Sequence, residues 1–168
     1  MTPDLFWIPG PWRGRLAIVS RPRGGDWLDD EASGWLRAGI DVLVSLLEPD
    51  EAEDLGLARE QAAAERGGIE FRSFPIPDCG VPDSAHDAVA FISGLMSGLE
   101  EGRNIAVHCR QGIGRSGLIA VGALITAGIA PEEAVLIVST ARGLPVPETA
   151  AQRRWLERLP SRLPISRT

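Results

Sequence analysis

The chain has 168 residues, 44% of them hydrophobic, which is enough for one domain with its own core and too few for two of ordinary size. Its formal net charge is −6, from 23 acidic and 17 basic residues, and every basic residue is an arginine. A net-acidic chain is poorly suited to neutralising nucleic-acid phosphates, and its longest apolar stretch, residues 118–125, is far short of the roughly 20 residues that cross a bilayer, so neither nucleic acid nor membrane is an expected partner.

Residues 6–12, Phe-Trp-Ile-Pro-Gly-Pro-Trp, read as a short strand running into a turn. Residues 16–20 read as a strand and 21–25 as a turn. Residues 26–38 carry Trp27, Leu28, Trp35 and Leu36 at near-helical spacing and stop at Gly39, a natural helix C-terminus. The continuous Val-Leu-Val run within 41–47 is that of a strand buried on both faces. Residues 51–66, rich in alanine and charge, predict one or two helices interrupted near Gly56. A strand is expected over 69–74, a proline-rich loop over 75–82, and a helix over 84–101 with Ala88, Ile92, Leu95 and Leu99 on its apolar stripe. Residues 104–108 form a short strand and 112–114 a glycine-bearing loop. The stretch 117–127 is apolar all round, as in a buried central helix. Helices over 131–141, with Pro131 in the first turn, and over 148–159 complete the chain.

Strands alternating with helices predict an α/β fold: a central, mostly parallel twisted sheet of about four or five strands flanked by helices on both sides. One domain over 1–160 is expected, with a short tail over 161–168. Charge is uneven along it. Residues 1–84 hold 16 acidic against 8 basic residues, and 85–168 hold 7 against 9. The more positive second half would attract an anionic substrate locally, while 26–54 reads as a solvated acidic face. Two cysteines, Cys79 and Cys109, are too few for a disulfide framework, and the N-terminus has no charged start followed by an apolar run. A cytoplasmic location is therefore expected.

The chemistry concentrates in Val107-His108-Cys109-Arg110-Gln111-Gly112-Ile113-Gly114-Arg115-Ser116-Gly117. A buried strand ends at His108 and a helix begins near Arg115. The residues between them, with two glycines, can turn their amides inward at a helix N-terminus, where unpaired N–H groups and the helix dipole favour an anion. Cys109 would stand on the floor of that cradle. Cysteines at helix N-termini have a pKa lowered to roughly 3.5–7.5, which makes a nucleophile at neutral pH. Arg115 can present a planar fork to two phosphate oxygens. Ser116 can hydrogen-bond the sulfur and ease its departure.

The pattern His108-Cys109, five residues, Arg115-Ser116 resembles the signature of the protein tyrosine phosphatase superfamily. Pro77-Asp78, one residue, Gly80-Val81-Pro82 resembles the family's acid-bearing loop, at the spacing of its smaller dual-specificity members. The resemblance implies Cys109 as nucleophile, Asp78 as general acid and Arg115 as phosphate clamp. It also implies His108 as an ordering residue beneath the loop, and the backbone of Arg110, Gln111, Gly112, Ile113, Gly114 and Arg115 as the anion cradle. Asp83 is the rival acid, though beside Ser84 it reads more simply as a helix cap. Gln152 matches the family glutamine that positions hydrolytic water. The alternative is an exposed polar residue on the last helix. His86 reads as a surface residue.

The implied reaction is metal-independent and cofactor-free hydrolysis of a phosphomonoester on a phosphoprotein or small molecule, inhibited by phosphate-like oxyanions. Two other readings stand beside it: a rhodanese-like sulfurtransferase, which would lack a distant acid on a Pro-Asp loop, and a non-catalytic phosphate-binding module. Cys79, next to the proposed acid, could approach Cys109 and pair with it under oxidation.

Overall fold

In the computed structural model, which describes residues 3–159, the chain runs β1 (Leu5–Ile8), β2 (Leu16–Val19), α1 (Leu28–Arg37), β3 (Val42–Ser45), α2 (Pro49–Asp54), α3 (Glu60–Arg66), β4 (Glu70–Ser73), α4 (Ala85–Glu100), β5 (Ile105–His108), α5 (Arg115–Thr126), α6 (Pro131–Arg142) and α7 (Ala150–Glu157). The expected tail over 161–168 lies outside the described residues. The five strands form one sheet in the order β1-β2-β5-β3-β4, parallel except for β1, which runs antiparallel to β2.

The pleat of the sheet sorts its side chains into two cores. On one face Ile18, Val42, Val44, Ile105 and Val107 pack against buried residues of α4, α5 and α6, among them Ile92, Leu95, Leu124 and Val138. On the other, Val19, Leu43 and Ala106 meet Ala32 and Trp35 of α1 and Ala64 of α3. Helices on both faces follow from this, and so do strands without polar alternation. Helix α5 is buried from Arg115 through Ile125, which accounts for its all-round apolar sequence.

Local chemistry moves several expected boundaries. The 26–38 segment opens with a 3-10 turn, Gly25–Trp27, before α1 proper. The 51–66 segment is two helices, and the break falls around Gly56, whose φ of +72° suits glycine. Helix α5 starts at Arg115, where a helix is expected to follow the loop, two residues ahead of the all-round apolar stretch. Helix α7 starts two residues late: Thr149 is its cap, its hydroxyl accepting from the Gln152 N–H at 3.2 Å.

Strands β2, β5, β3 and β4 all end at the same edge of the sheet. The segments that leave this edge are 109–114 after central β5, 46–51 after β3 and 74–82 after β4. An anion-holding loop is expected at the carboxyl ends of such strands.

Candidate active site

The loop from Cys109 to Gly114 joins β5 to α5 and is fastened from outside. Arg142 of α6 donates from Nε to the Gly112 carbonyl at 2.9 Å and from Nη2 to the Gln111 carbonyl at 3.2 Å. Its guanidinium also lies 4.2 Å from the centre of the Phe6 ring. The two ends of a trans peptide point in opposite directions, so carbonyls drawn outward turn the following amides inward. The Gly112 N–H accordingly donates to the Cys109 sulfur at 3.2 Å. Gly112 has a φ of +70°, a left-handed conformation that a side chain would strain. Gly114 is needed for a different reason: a Cβ there would meet the Glu148 carboxylate at 2.9 Å and the Gln152 amide at 3.1 Å.

A small pocket of about 50 Å³ opens over the loop, lined by Asp78, Cys79, Cys109, Arg110, Gln111, Gly114, Arg115 and Glu148. Cys109 is buried on its floor and Arg110 is exposed at its rim. The Ile113 side chain turns away into the core, so within the cradle it offers only its backbone.

Arg115, 2% exposed, is held on several sides. The Glu51 carboxylate meets it end-on, Oε2 at 2.7 Å from Nη1 and Oε1 at 2.9 Å from Nη2. Nη1 also donates to the Ile76 carbonyl at 2.9 Å, and Nη2 to Asp78 Oδ1 at 3.1 Å. None of the described residues accepts from Nε. The edge of the guanidinium formed by Nε and Nη2 is therefore the one left for an oxyanion, and Asp78 already leans on half of it. Burial opposes the charged form of Arg115, but Glu51, Cys109 and Asp78 outweigh it, and the group is held more firmly charged than an ordinary arginine. Hydrogen bonding to Arg115 draws the Glu51 carboxyl below its usual range, partly opposed by burial. Glu51 is itself oriented by the Glu48 N–H, which donates to its Oε2 at 3.0 Å.

Three expectations need correction. Ser116 makes no hydrogen bond to the sulfur: its hydroxyl is buried with no partner among the described residues. Gln152 is not exposed. It is fully buried, its Oε1 accepts from the Glu148 and Thr149 amides at 3.1 and 3.2 Å, and its Nε2 donates to the Gly80 carbonyl at 2.9 Å. With its amide so committed it ties the acid loop to α7 and lies outside the pocket lining. Asp83 is exposed and is not the cap of α4. Ser84 fills that position, its hydroxyl accepting from the Asp87 N–H at 3.1 Å. His108 is engaged at both ring nitrogens: its Nε2 lies 2.5 Å from the Glu60 carboxylate, and its Nδ1 lies 3.3 Å from the Cys109 carbonyl. His86 is exposed, as expected.

Cys79 and Cys109 line the same pocket as free thiols. Asp78 first, then Glu148, push the exposed Cys79 thiol above its ordinary range, which disfavours its thiolate. Cys79 also takes a positive φ of 59°, unusual for a residue with a side chain. Glu51, Glu60, Arg142 and Glu148 are the site residues that the sequence did not single out. Each comes from a distant segment: Arg142 and Glu148 to the loop, Glu51 to Arg115 and Glu60 to His108.

Residues 19–129 match the family model described as a DSP-PTPase phosphatase of polymorphic toxin systems. Over 93 residues, 53% of this chain and 34% of the other, the chain is 37% identical to the candidate tyrosine phosphatase 197R of Invertebrate iridescent virus 6. Over 70 residues, 39% and 29% of the two, it is 37% identical to the candidate tyrosine phosphatase 067L of Invertebrate iridescent virus 3. The matched segments cover about a third of those relatives. Among solved structures, Tk-PTP in its active form superposes with a TM-score of 0.76 at 29% identity, covering 95% of this chain and 97% of the other. Kinase associated phosphatase, in a form with its catalytic-site cysteine replaced by serine, superposes with a TM-score of 0.84 over 93% of each chain, and at 20% identity that likeness bears on the fold alone.

Proposed function

This chain belongs to the DSP-PTPase phosphatase family, and from that premise we propose that it hydrolyses phosphomonoesters on phosphoproteins, phosphotyrosine and also phosphoserine or phosphothreonine, through a cysteinyl-phosphate intermediate. The family assignment sets aside the sulfurtransferase reading. We take residues 1–160 as one phosphatase domain acting in the cytoplasm. The observation that carries the proposal is a single pocket lined by Cys109, Arg115 and Asp78, with the Gly112 amide turned towards the sulfur.

The phosphoryl dianion docks against the loop amides and the Nε–Nη2 edge of Arg115, displacing Asp78 from Nη2. The Cys109 thiolate attacks phosphorus in line, and the bond to the leaving oxygen breaks as Asp78, in its acid form, gives that oxygen a proton. Asp78, now a carboxylate, takes a proton from water. The water oxygen attacks phosphorus, the S–P bond breaks, and thiolate and inorganic phosphate are regenerated. Positioning and fixed charge supply most of the acceleration, so side chains and backbone suffice without a metal or cofactor. Glu51 keeps Arg115 charged and aimed. Gln152 holds the acid loop through Gly80 instead of handling the water.

Acid-quenched turnover followed by mass spectrometry tests this reading. Phosphate on Cys109 is expected, and more of it in Asp78→Asn, where the second step lacks its base. Steady turnover with no cysteine-bound phosphate in either protein would refute it.

A further inference from the structure

His108 ends β5 one residue before the nucleophile, and the pleat sends its ring to the face opposite Cys109, among α1 and α3. There it meets Glu60, the first residue of α3. Both are shut off from solvent, at 0% and 2% exposure. This buried carboxylate does not line the pocket, and its only side-chain partner among the described residues is His108.

The ring faces an acceptor on each side: the Glu60 carboxylate at Nε2 and the Cys109 carbonyl at Nδ1. A neutral imidazole carries one proton and can serve only one acceptor as donor. Two acceptors are satisfied together only if Nδ1 carries a proton and the glutamate and Nε2 hold a second one between them. Without that second proton, a carboxylate 2.5 Å away would draw the remaining one to Nε2 and leave a bare Nδ1 against the Cys109 carbonyl.

We propose that Glu60 is a positioning residue for the anion cradle: with His108 it holds the proton that lets the ring grip the Cys109 carbonyl, and so aims the Arg110 N–H into the loop. The step from carbonyl to amide is the geometry of one trans peptide, in which the Cys109 C=O and the Arg110 N–H point opposite ways. Arg142 does the same from the other side by holding the Gln111 and Gly112 carbonyls, so three carbonyls of the loop are drawn outward. This proposal rests on the phosphatase reading only in taking the loop as an oxyanion site.

The other charged groups about the nucleophile are Arg115 at the head of α5, Glu51 of α2, Asp78 of the acid loop, Arg110 and Glu148 at the pocket rim and Arg142 behind the loop, and the β3 residue paired with His108 is the uncharged Ser45. All are common to every variant below. Glutamine at position 60 can turn its amide to donate to Nε2, which keeps Nδ1–H on a neutral ring with nothing further to lose.

The experiment uses the full chain in two measurements. The chain has only two histidines, so ¹⁵N-histidine labelling reports His108 against His86 alone. In the wild type, Nδ1 is expected to carry a proton, with a second proton on or shared by Nε2. In Glu60→Gln, Nδ1 is expected to keep its proton beside a bare Nε2. A wild-type His108 with a bare Nδ1 overturns the proposal. The second measurement is tungstate affinity by calorimetry near neutral pH. Glu60→Ala should bind about tenfold more weakly than the wild type, by analogy with the loss of a carboxylate that orients a metal-bound histidine. Glu60→Gln should stay within about threefold of the wild type near neutrality. A folded Glu60→Ala with unchanged affinity overturns it. If Glu60→Ala does not fold, Glu60→Gln and the ring nitrogens still decide. A wild type that binds no tungstate would refute the oxyanion-site reading, while the His108 protonation pattern would continue to test this one.

Discussion

Replacing Glu51 with glutamine removes the charge that meets both terminal nitrogens of Arg115 while keeping the shape of the side chain. The pair is largely desolvated, with side-chain exposures of 2% for Arg115 and 14% for Glu51. Breaking a fully buried pair from one side costs about 3–5 kcal/mol, because the remaining charge is left uncompensated. Here the loss is smaller: the glutamine oxygen still accepts one bond, and the Ile76 carbonyl stays 2.9 Å from Nη1. About 2 kcal/mol is expected, between a lost charged hydrogen bond and a stranded buried charge. In a chain of this length that lowers Tm by about 4–8 °C.

The dependence on pH makes this prediction specific. Arg115 holds the folded-state carboxyl of Glu51 below its reference value of 4.5. A depressed carboxyl contributes its full stability above the unfolded value and loses it as pH falls through the lower folded value. Urea unfolding of wild type and Glu51→Gln at about pH 7, 5 and 3 should therefore show a gap that holds down to the ordinary carboxylate range and closes below it. A variant as stable as the wild type near neutrality would refute the reasoning, as would a gap that persists or widens in acid.

Other expectations follow from the same geometry. Gly112→Ala forces a side chain into a φ of +70° and should cost about 1–2 kcal/mol in stability, with weaker oxyanion binding; an unchanged urea midpoint would contradict this. Asp78→Ala should slow hydrolysis of alkyl phosphates by roughly 10²–10⁴-fold while sparing substrates with good leaving groups, and equal losses on both would point away from general acid catalysis. The Cys79 thiol, held protonated by Asp78 and then Glu148, should alkylate more slowly than a free cysteine at neutral pH, and faster in Glu148→Gln; indifference to Glu148 would show that the rim carboxylates do not control it. The same effect counts against ready pairing of Cys79 with Cys109 under mild oxidation.

The layered fold was legible because four of its five strands are short, largely apolar runs and its helices carry clear stripes or, in α5, no polar face at all. The anion loop was legible because its residues are contiguous: the turn glycines, the nucleophile and the clamp lie within seven positions, and local geometry brings them together. Its supports were not, since Glu51, Glu60 and Arg142 lie 64, 48 and 30 residues from the groups they hold, and only the register of the sheet brings them there. Glu60 did leave a trace. It stands three and four places before Ala63 and Ala64, on the buried stripe of α3, where an unpaired carboxylate would be costly. The exposed alternative for Gln152 fails for a similar reason, because a polar residue in a first helical turn is normally solvated unless a distant carbonyl, here that of Gly80, claims it.

The central claim, that Cys109 is the nucleophile of a metal-independent phosphatase, meets its most direct test in the hydrolysis of para-nitrophenyl phosphate with chelator present, comparing wild type and Cys109→Ser at matched folding. The account predicts wild-type turnover that survives chelator and is blocked by vanadate, with none in the variant. Turnover retained by Cys109→Ser, or a folded and reduced wild type with no activity on this substrate, would contradict it.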